Sequence, residues 1–389
     1  MAPATPSRTT VVLTALLALL PALLWGAAQP AAASEEPPPR RTVSAWLPYW
    51  DQEAAYQNAL RHADQLHTVS PFWYETKAAD RIDPHPGAGE RLVIDGLHRA
   101  GIDVVPTVME TLPPGALAAV VTDPTRRAVH ADALLATAVS RDYDGLDLDY
   151  ESLATTGDAT YAAVRDGYAA LVTDVCARLH ALDKTCVVTV MPKTATTGRV
   201  WDYATFGKVA DRVRIMGYNL HWAGGAPGPL STPRWYDEML RTATALVPPE
   251  RIEVGLPAYG WDWPPAAART SEDTPPAGTR TTTGTGAAPV DTRTRDADGT
   301  GAAHVTWKEA EALRRAHHIP YRLDPASSTP HFTYRDGDRT REVWYQDARG
   351  VAGHLPVLRR YGVVHTALWA LNFEDPALWP VLAQGAPRA

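Results

Sequence analysis

The 389-residue sequence is poor in cysteine, lysine and phenylalanine, with two, five and four of each. Two cysteines, Cys176 and Cys186, cannot build a disulfide scaffold. No Cys/His cluster has the spacing of a metal-ligand set, and the adjacent His317 and His318 sit in a polar helical stretch and read as solvated. The first strand runs into Leu47-Pro48-Tyr49-Trp50, without the glycine-rich turn that would be expected of an open doubly wound sheet. There is no internal repeat and no excess of positive charge. A net charge of −7 argues against nucleic acid as a partner and gives no pull toward anionic surfaces. The 32 arginines that outnumber lysine carry no functional message.

Long apolar runs are also missing, with one exception at the N-terminus. Arg8 is the only charged side chain before Glu35, and Val11–Leu24 is apolar but shorter than the roughly 20 residues of a membrane span. Small residues then gather at Ala31, Ala32, Ala33 and Ser34. Residues 1–33 read as a secretory signal peptide, with an uncleaved anchor as the alternative. No cysteine lies nearby to take a lipid, and no twin arginine precedes the run. Removal leaves 356 residues with a net charge of about −8. The expected product is a secreted monomer with no membrane attachment. In an oxidising compartment Cys176 and Cys186 either pair or remain buried thiols, and the sequence leaves both open.

After a Pro37–Pro39 linker (residues 34–41), short apolar strands alternate with helical patterns. The strand candidates are Val43–Tyr49, Leu66–Tyr74, Ile102–Met109, Tyr143–Glu151, Cys186–Pro192, Arg212–Asn219, Ile252–Ala258 and Val364–Ala370. Tyr161–Leu182 and Pro233–Leu246 are among the helices between them. Eight strands in this rhythm predict an α/β fold, a (β/α)8 TIM barrel over residues 42–385. Roughly 105 residues separate the seventh strand from the eighth, where one helix would suffice. A small α+β insertion is expected at 264–345, opening with a mobile Thr/Gly/Pro-rich loop at 264–303. Thr306–His317 reads as helix, and His331–Tyr334 with Glu342–Tyr345 flank an Asp336-Gly337-Asp338 hairpin turn.

The most informative stretch is Asp144-Gly145-Leu146-Asp147-Leu148-Asp149-Tyr150-Glu151. Alternate residues of a strand share a face, so Asp147, Asp149 and Glu151 point the same way. Barrel interiors are normally layers of branched apolar side chains, and three stacked acids there would repel one another. Such crowding raises carboxyl pKa values, so one acid of the three should hold its proton near neutral pH. Glu151, at the rim where barrel active sites are built, is the candidate general acid. Asp144 is out of this parity and reads as structural. An ordinary retaining glycosidase needs a second carboxylate about 5–5.5 Å away across the sugar, whereas Asp149 approaches from the same side. A 2-acetamido oxygen of the substrate would fit as nucleophile. The same acids could instead hold Mg²⁺ or Ca²⁺, although no further ligands gather on neighbouring strand ends.

The Asp-Gly-x-Asp-x-Asp-x-Glu pattern on the fourth strand resembles the signature of glycoside hydrolase family 18, the chitinase family. The likeness extends over most of residues 43–384. It implies Glu151 as proton donor, Asp149 as the residue positioning the acetamide, and Asp147 as its electrostatic support. Met216-Gly217-Tyr218-Asn219 resembles the family's Met-x-Tyr-Asp, so Tyr218 would bond the acetamide oxygen, with Asn219 in place of the usual aspartate. Trp369 would form the floor under the reacting sugar. The segments Tyr218–Trp222, Gly255–Trp261 and Glu342–Tyr345 resemble the bacterial branch similar to spore-germination and cell-wall N-acetylglucosaminidases.

Aromatic residues collect at the strand ends: Tyr49 and Trp50, Trp73 and Tyr74, Trp222, Tyr259, Trp261, Trp263 and Trp369. Such a rim suits the apolar faces of sugar rings. Trp201, Trp307 and Trp379 read as packing, while Glu75 and Glu374 are placed either for sugar hydroxyls or for solvent. The expected function is hydrolysis, with retention and without a cofactor, of β-1,4 bonds in N-acetylglucosamine polymers such as chitin oligomers or peptidoglycan. A carbohydrate-binding barrel without catalysis and an endo-acting enzyme on N-glycans are the alternatives.

Overall fold

The computed structural model describes residues 1, 42–157, 159–194, 197–264 and 301–383. The expected signal peptide, the linker and most of the 264–303 loop lie outside the described residues. No helix among the described residues is long and apolar enough to cross a membrane.

The principal sheet is eleven-stranded and curled. Parallel pairing joins Gly145–Asp149, Thr185–Val190, Arg212–Met216, Ile252–Pro257, His365–Trp369, Thr42–Leu47 and Leu66–Pro71 in that order. The third position is split. Asp103–Val104 pairs with Leu66–Pro71, whereas Thr107–Glu110 pairs with Gly145–Asp149. Pro106 stands between the pieces and has no N–H to give to a ladder. The backbone still connects across the break: Val105 N–H donates to Val69 O, Asp144 N–H to Val104 O and Asp147 N–H to Pro106 O. A short antiparallel pair, Tyr74–Ala78 with Arg81–Pro84, extends the edge beside Thr107–Glu110.

Each expected strand is found with its ends shifted by up to three residues, and the third is split in two. Leu66–Tyr74 ends at Pro71, and Tyr74 begins a separate strand. Helices pack on the outside through apolar stripes. In Arg91–Arg99 the buried residues are Val93, Ile94, Gly96 and Leu97. Tyr161–His180 buries Val164, Tyr168, Leu171, Val172, Val175, Cys176 and Leu179. Cys176 is bonded to Cys186 at a Cα separation of 5.2 Å, which ties this helix to the fifth strand. Gly145 is needed where the fourth strand starts, because a Cβ there would meet Thr185 O at 2.1 Å.

Between the seventh barrel strand and the helix Ala348–Arg360 the chain builds a second, five-stranded antiparallel sheet. Its first strand is Tyr259–Trp263, earlier than the expected start at 264, separated from the barrel strand by Ala258 alone. Ala303–Thr306 and the hairpin Thr329–Asp336/Arg339–Tyr345 complete most of it. Helix Trp307–Ala316 starts from a reciprocal Thr306/Glu309 capping box. Val305, Ala310, Phe332, Tyr334, Val343 and Tyr345 form its own small core. His317 and His318 are exposed, as their polar surroundings suggest.

Candidate active site

The fourth strand is buried along its whole length. Leu146 and Leu148 pack in the apolar core, while Asp147 and Asp149 occupy the alternate face. Asp147 is fully buried and accepts four side-chain hydrogen bonds. Thr189 Oγ1 donates at 2.7 Å, Thr107 Oγ1 at 2.9 Å, Arg214 Nη1 at 2.9 Å and Trp46 Nε1 at 3.1 Å. Arg214, 1% exposed, also donates to Ser70 and Glu253, and its guanidinium lies 4.7 Å from the Trp46 ring centroid. Glu253 in turn accepts from Ser44 at 2.7 Å. Burial pushes the Asp147 carboxyl up, while Arg214, Thr189 and Thr107 pull it back. The expected stack of three repelling acids is therefore relieved at its base by an arginine. With four donors on it, Asp147 has little capacity left for a metal ion.

Asp149 is different. It is 5% exposed, and its Oδ1 has no hydrogen-bond partner among the described residues. Burial first, then the charges of Glu151, Asp147 and Glu110, hold its carboxyl well above the usual range, with Arg214 opposing. Glu151 follows the strand at the start of the 3-10 turn Ser152–Thr155, half-buried at the rim. Asp144 accepts from Val104 N–H at 2.7 Å and contacts His98 Nε2 at 2.9 Å, a structural tie as its parity indicates.

Sequence reasoning missed Glu110, the last residue of the third strand. It is 3% exposed, accepts Ser152 N–H at 2.7 Å and Leu112 N–H at 3.1 Å, and burial raises its pKa. It thus holds the turn that begins beside Glu151 and adds a further acid near Asp149. Arg214 and Glu253 were missed as well. Glu253 is the one charged residue of its strand and Arg214 is a charge between Val213 and Ile215, each a legible signal.

Tyr218 is buried, and its ring meets Trp46, Tyr259 and Trp369 at centroid distances of 6.4, 6.1 and 6.5 Å. Asn219 turns out of the sixth strand with φ +60, a conformation that asparagine tolerates better than most residues. Its Oδ1 accepts from Tyr259 O–H at 2.5 Å and Trp261 Nε1 at 3.4 Å. The indole can only donate, so oxygen is the amide atom facing this pair and Asn219 Nδ2 points elsewhere. Trp369 is half-buried against Trp46 and Phe72, at 5.5 and 5.2 Å, and Met216 is buried in the core.

The aromatic rim is narrower than the sequence suggests. Trp73 is fully buried; its N–H donates to Gln52 at 2.6 Å and its ring packs 6.1 Å from Tyr143, so it is packing and not a sugar contact. Trp263 is likewise sealed, donating to Trp222 O at 3.3 Å. Tyr259 is 2% exposed, and its hydroxyl donates to Asn219. Tyr49, stacked on His85 at 4.1 Å, and Trp222 remain half-buried. Neither Glu374 nor Glu75 is solvated. Glu374 accepts from Asn58 at 2.6 Å and Trp379 at 3.0 Å, and Glu75 pairs with Lys77. Trp201 and Trp379 are buried, in line with a packing role.

A curled parallel sheet whose interior carboxylates lead to an acid at the C-terminal rim, beside aromatic side chains, has the layout of a barrel glycosidase. The glycosyl hydrolases family 18 profile matches residues 113–374, and the chain belongs to that family. It is 26% identical over 257 residues to the cortical fragment-lytic enzyme of Bacillus anthracis, covering 64% of this chain and 51% of that one. The chain thus spans about half the length of that relative. Solved structures of other proteins share the fold. The Bacillus cereus spore cortex-lytic enzyme SleL has a TM-score of 0.71 at 21% identity, covering 90% of this chain and 75% of that one. A chitinase from Chromobacterium violaceum also has a TM-score of 0.71, at 22% identity, covering 90% and 100%.

Proposed function

We propose that the protein is an exported glycosidase that hydrolyses β-1,4 bonds beside N-acetylglucosamine, with retention, through the substrate's own acetamide. The observation that carries this reading is the buried Asp149 Oδ1 without a donor, set between Asp147 and the rim acid Glu151. A buried acceptor is costly unless a ligand completes it, and an acetamide N–H supplies the missing donor. Asp149 then aligns the acetamide and stabilises positive charge on it. Its carbonyl oxygen attacks C1 as Glu151 gives its proton to the departing glycosidic oxygen. Tyr218 donates its hydroxyl hydrogen to the acetamide oxygen, and Trp369 supports the apolar face of the ring. Water next attacks C1 of the oxazolinium ion, Glu151 takes up the water's proton, and the net configuration is retained.

The name of the Bacillus anthracis relative favours cell-wall fragments as substrate, and that of the chitinase favours chitin oligomers. Both present the same N-acetylglucosamine unit. The bonded Cys176–Cys186 pair supports export to an oxidising compartment. The test is hydrolysis of a fluorogenic N,N′-diacetylchitobioside by the wild type beside Glu151→Gln. Release abolished by the substitution supports the assignment. Oligosaccharide binding without turnover in either protein refutes it in favour of a non-catalytic barrel. Equal turnover of a substrate lacking the N-acetyl group refutes the acetamide route.

A further inference from the structure

A cavity of about 300 Å³ lies between helix Tyr161–His180, Lys193 and helix Tyr203–Val209, and its described lining includes no residue of the carboxylate strand. Its lining includes Arg165, Lys193, Arg199, Tyr161, Trp201 and Tyr203. We propose that this cavity is a second binding site, which takes the oxyanion of an acidic, sugar-sized ligand such as a carboxylated or phosphorylated saccharide unit.

Among the described residues, three cationic side chains and one carboxylate, Asp202, line the cavity. That carboxylate is already engaged, accepting Thr205 N–H at 3.2 Å and Thr205 Oγ1 at 2.7 Å as the cap of helix Tyr203–Val209. Arg165 is paired with Asp166 at 2.7 Å. Among the described residues, Lys193 has no carboxylate within ion-pair distance. Its half-buried ammonium donates to Gly198 O at 2.7 Å and lies 5.5 Å from the Tyr203 ring. Burial, with the like charge of Arg165 adding to it, lowers its pKa, and Asp202 opposes the shift. The guanidiniums of Arg165 and Arg199 lie 6.0 and 4.7 Å from the same Tyr161 ring, which gathers two like charges at one wall. Trp201 is 1% exposed, and its indole N–H has no acceptor among the described residues.

Arginine, lysine and indole N–H groups donate and do not accept. A complementary ligand must therefore be rich in acceptors and negatively charged. The volume is at the lower bound of small-molecule pockets, about 300–1,000 Å³, and exceeds what a bare carboxylate fills. A neutral N-acetylglucosamine oligomer lacks the required charge, so this ligand differs from the unit assigned to the catalytic groove. The inference rests on the proposed function only in choosing a saccharide carrier, and its test does not need turnover.

Ligand-observed NMR with glucuronic acid, glucose 6-phosphate and glucose as probes provides that test. At least one of the two anions binds the wild type, while glucose gives no signal that Lys193→Gln abolishes. Lys193→Gln and the exposed Arg199→Gln each weaken anion binding by about tenfold or more, while Glu151→Gln leaves it unchanged. Raising salt weakens it further. The ratio of the two anions assigns a carboxylate or a phosphate as the preferred group. Equal binding of glucose, or anion binding that withstands both substitutions in proteins of unchanged Tm, overturns the proposal. Loss of hydrolysis in Glu151→Gln with anion binding intact separates this site from the catalytic one.

Discussion

Replacing Asp149 with asparagine should make the protein more stable and nearly inactive. The carboxyl is buried, its Oδ1 is without a donor, and Glu151, Asp147 and Glu110 all disfavour its ionised form. An amide of the same shape removes the charge and leaves the four donors of Asp147 in place. A buried carboxylate without a donor on one oxygen costs about 1–3 kcal/mol more when ionised than a neutral group of its shape. At about 2.1 cal/mol/K of unfolding entropy per residue, that gain raises Tm by roughly 1–4 °C for a chain of 389 residues. The sign of the pH dependence follows from the raised pKa of Asp149. The native state holds this proton to higher pH than the unfolded chain, whose aspartate titrates near about 3.9. Native stability from that proton is complete below the unfolded value and is lost as pH rises through the folded one. The amide of Asp149→Asn does not titrate, so the variant's advantage is smallest near pH 4, grows with pH and then levels off. Differential scanning fluorimetry of both proteins from pH 4 to 8.5 measures the gap, and turnover should fall by about 10²–10³. A gap that is flat in pH, or a variant less stable throughout, would refute the reasoning by showing Asp149 to be a well-solvated carboxylate.

Arg214→Met should be far more damaging than its distance from the rim suggests. It strands Asp147 and Glu253 as buried charges, and urea unfolding should show a loss of about 3–5 kcal/mol. Reducing Cys176–Cys186, whose separation is 10 residues, should cost about 2–3 kcal/mol in the same assay with kcat unchanged. Asn219→Asp keeps an acceptor for Tyr259 and Trp261 but adds negative charge beside the site. The alkaline limb of the kcat/KM pH profile should move upward, since that charge disfavours loss of the catalytic proton. An unmoved limb would show that residue 219 is electrostatically remote from Glu151.

Strand positions were legible as short apolar runs, because parallel strands covered on both faces are buried throughout, and the acids at 147, 149 and 151 stood out through their shared parity. What those acids touch was not legible. Arg214 and Glu253 come from the sixth and seventh strands, and only the curl of the sheet brings them beneath the fourth. Their inward parity could be read from Arg-Val-Arg-Ile-Met and Ile-Glu-Val, but their partners could not. Trp73 and Trp369 look alike in sequence, each at a strand end. The first is sealed by Gln52 and Tyr143, whereas the second stays half-buried among Trp46, Phe72 and Tyr218. Pairing of the two cysteines depends on a Cα separation that no spacing rule supplies.

The five-stranded sheet begins at Tyr259, and that residue's hydroxyl holds Asn219 at the end of the sixth barrel strand. A part of the chain that looks detachable therefore owns one half of a contact in the catalytic neighbourhood. Anyone grafting this lobe onto a related barrel, or trimming it to make a minimal enzyme, inherits a seam at Ala258. A cut after Trp263 preserves the Tyr259–Asn219 bond but discards the neighbouring strands that keep Tyr259 in place. A cut at Ala258 carries the tyrosine away with the lobe. Lobe and barrel are joined through this hydroxyl, and they constrain each other's sequence there.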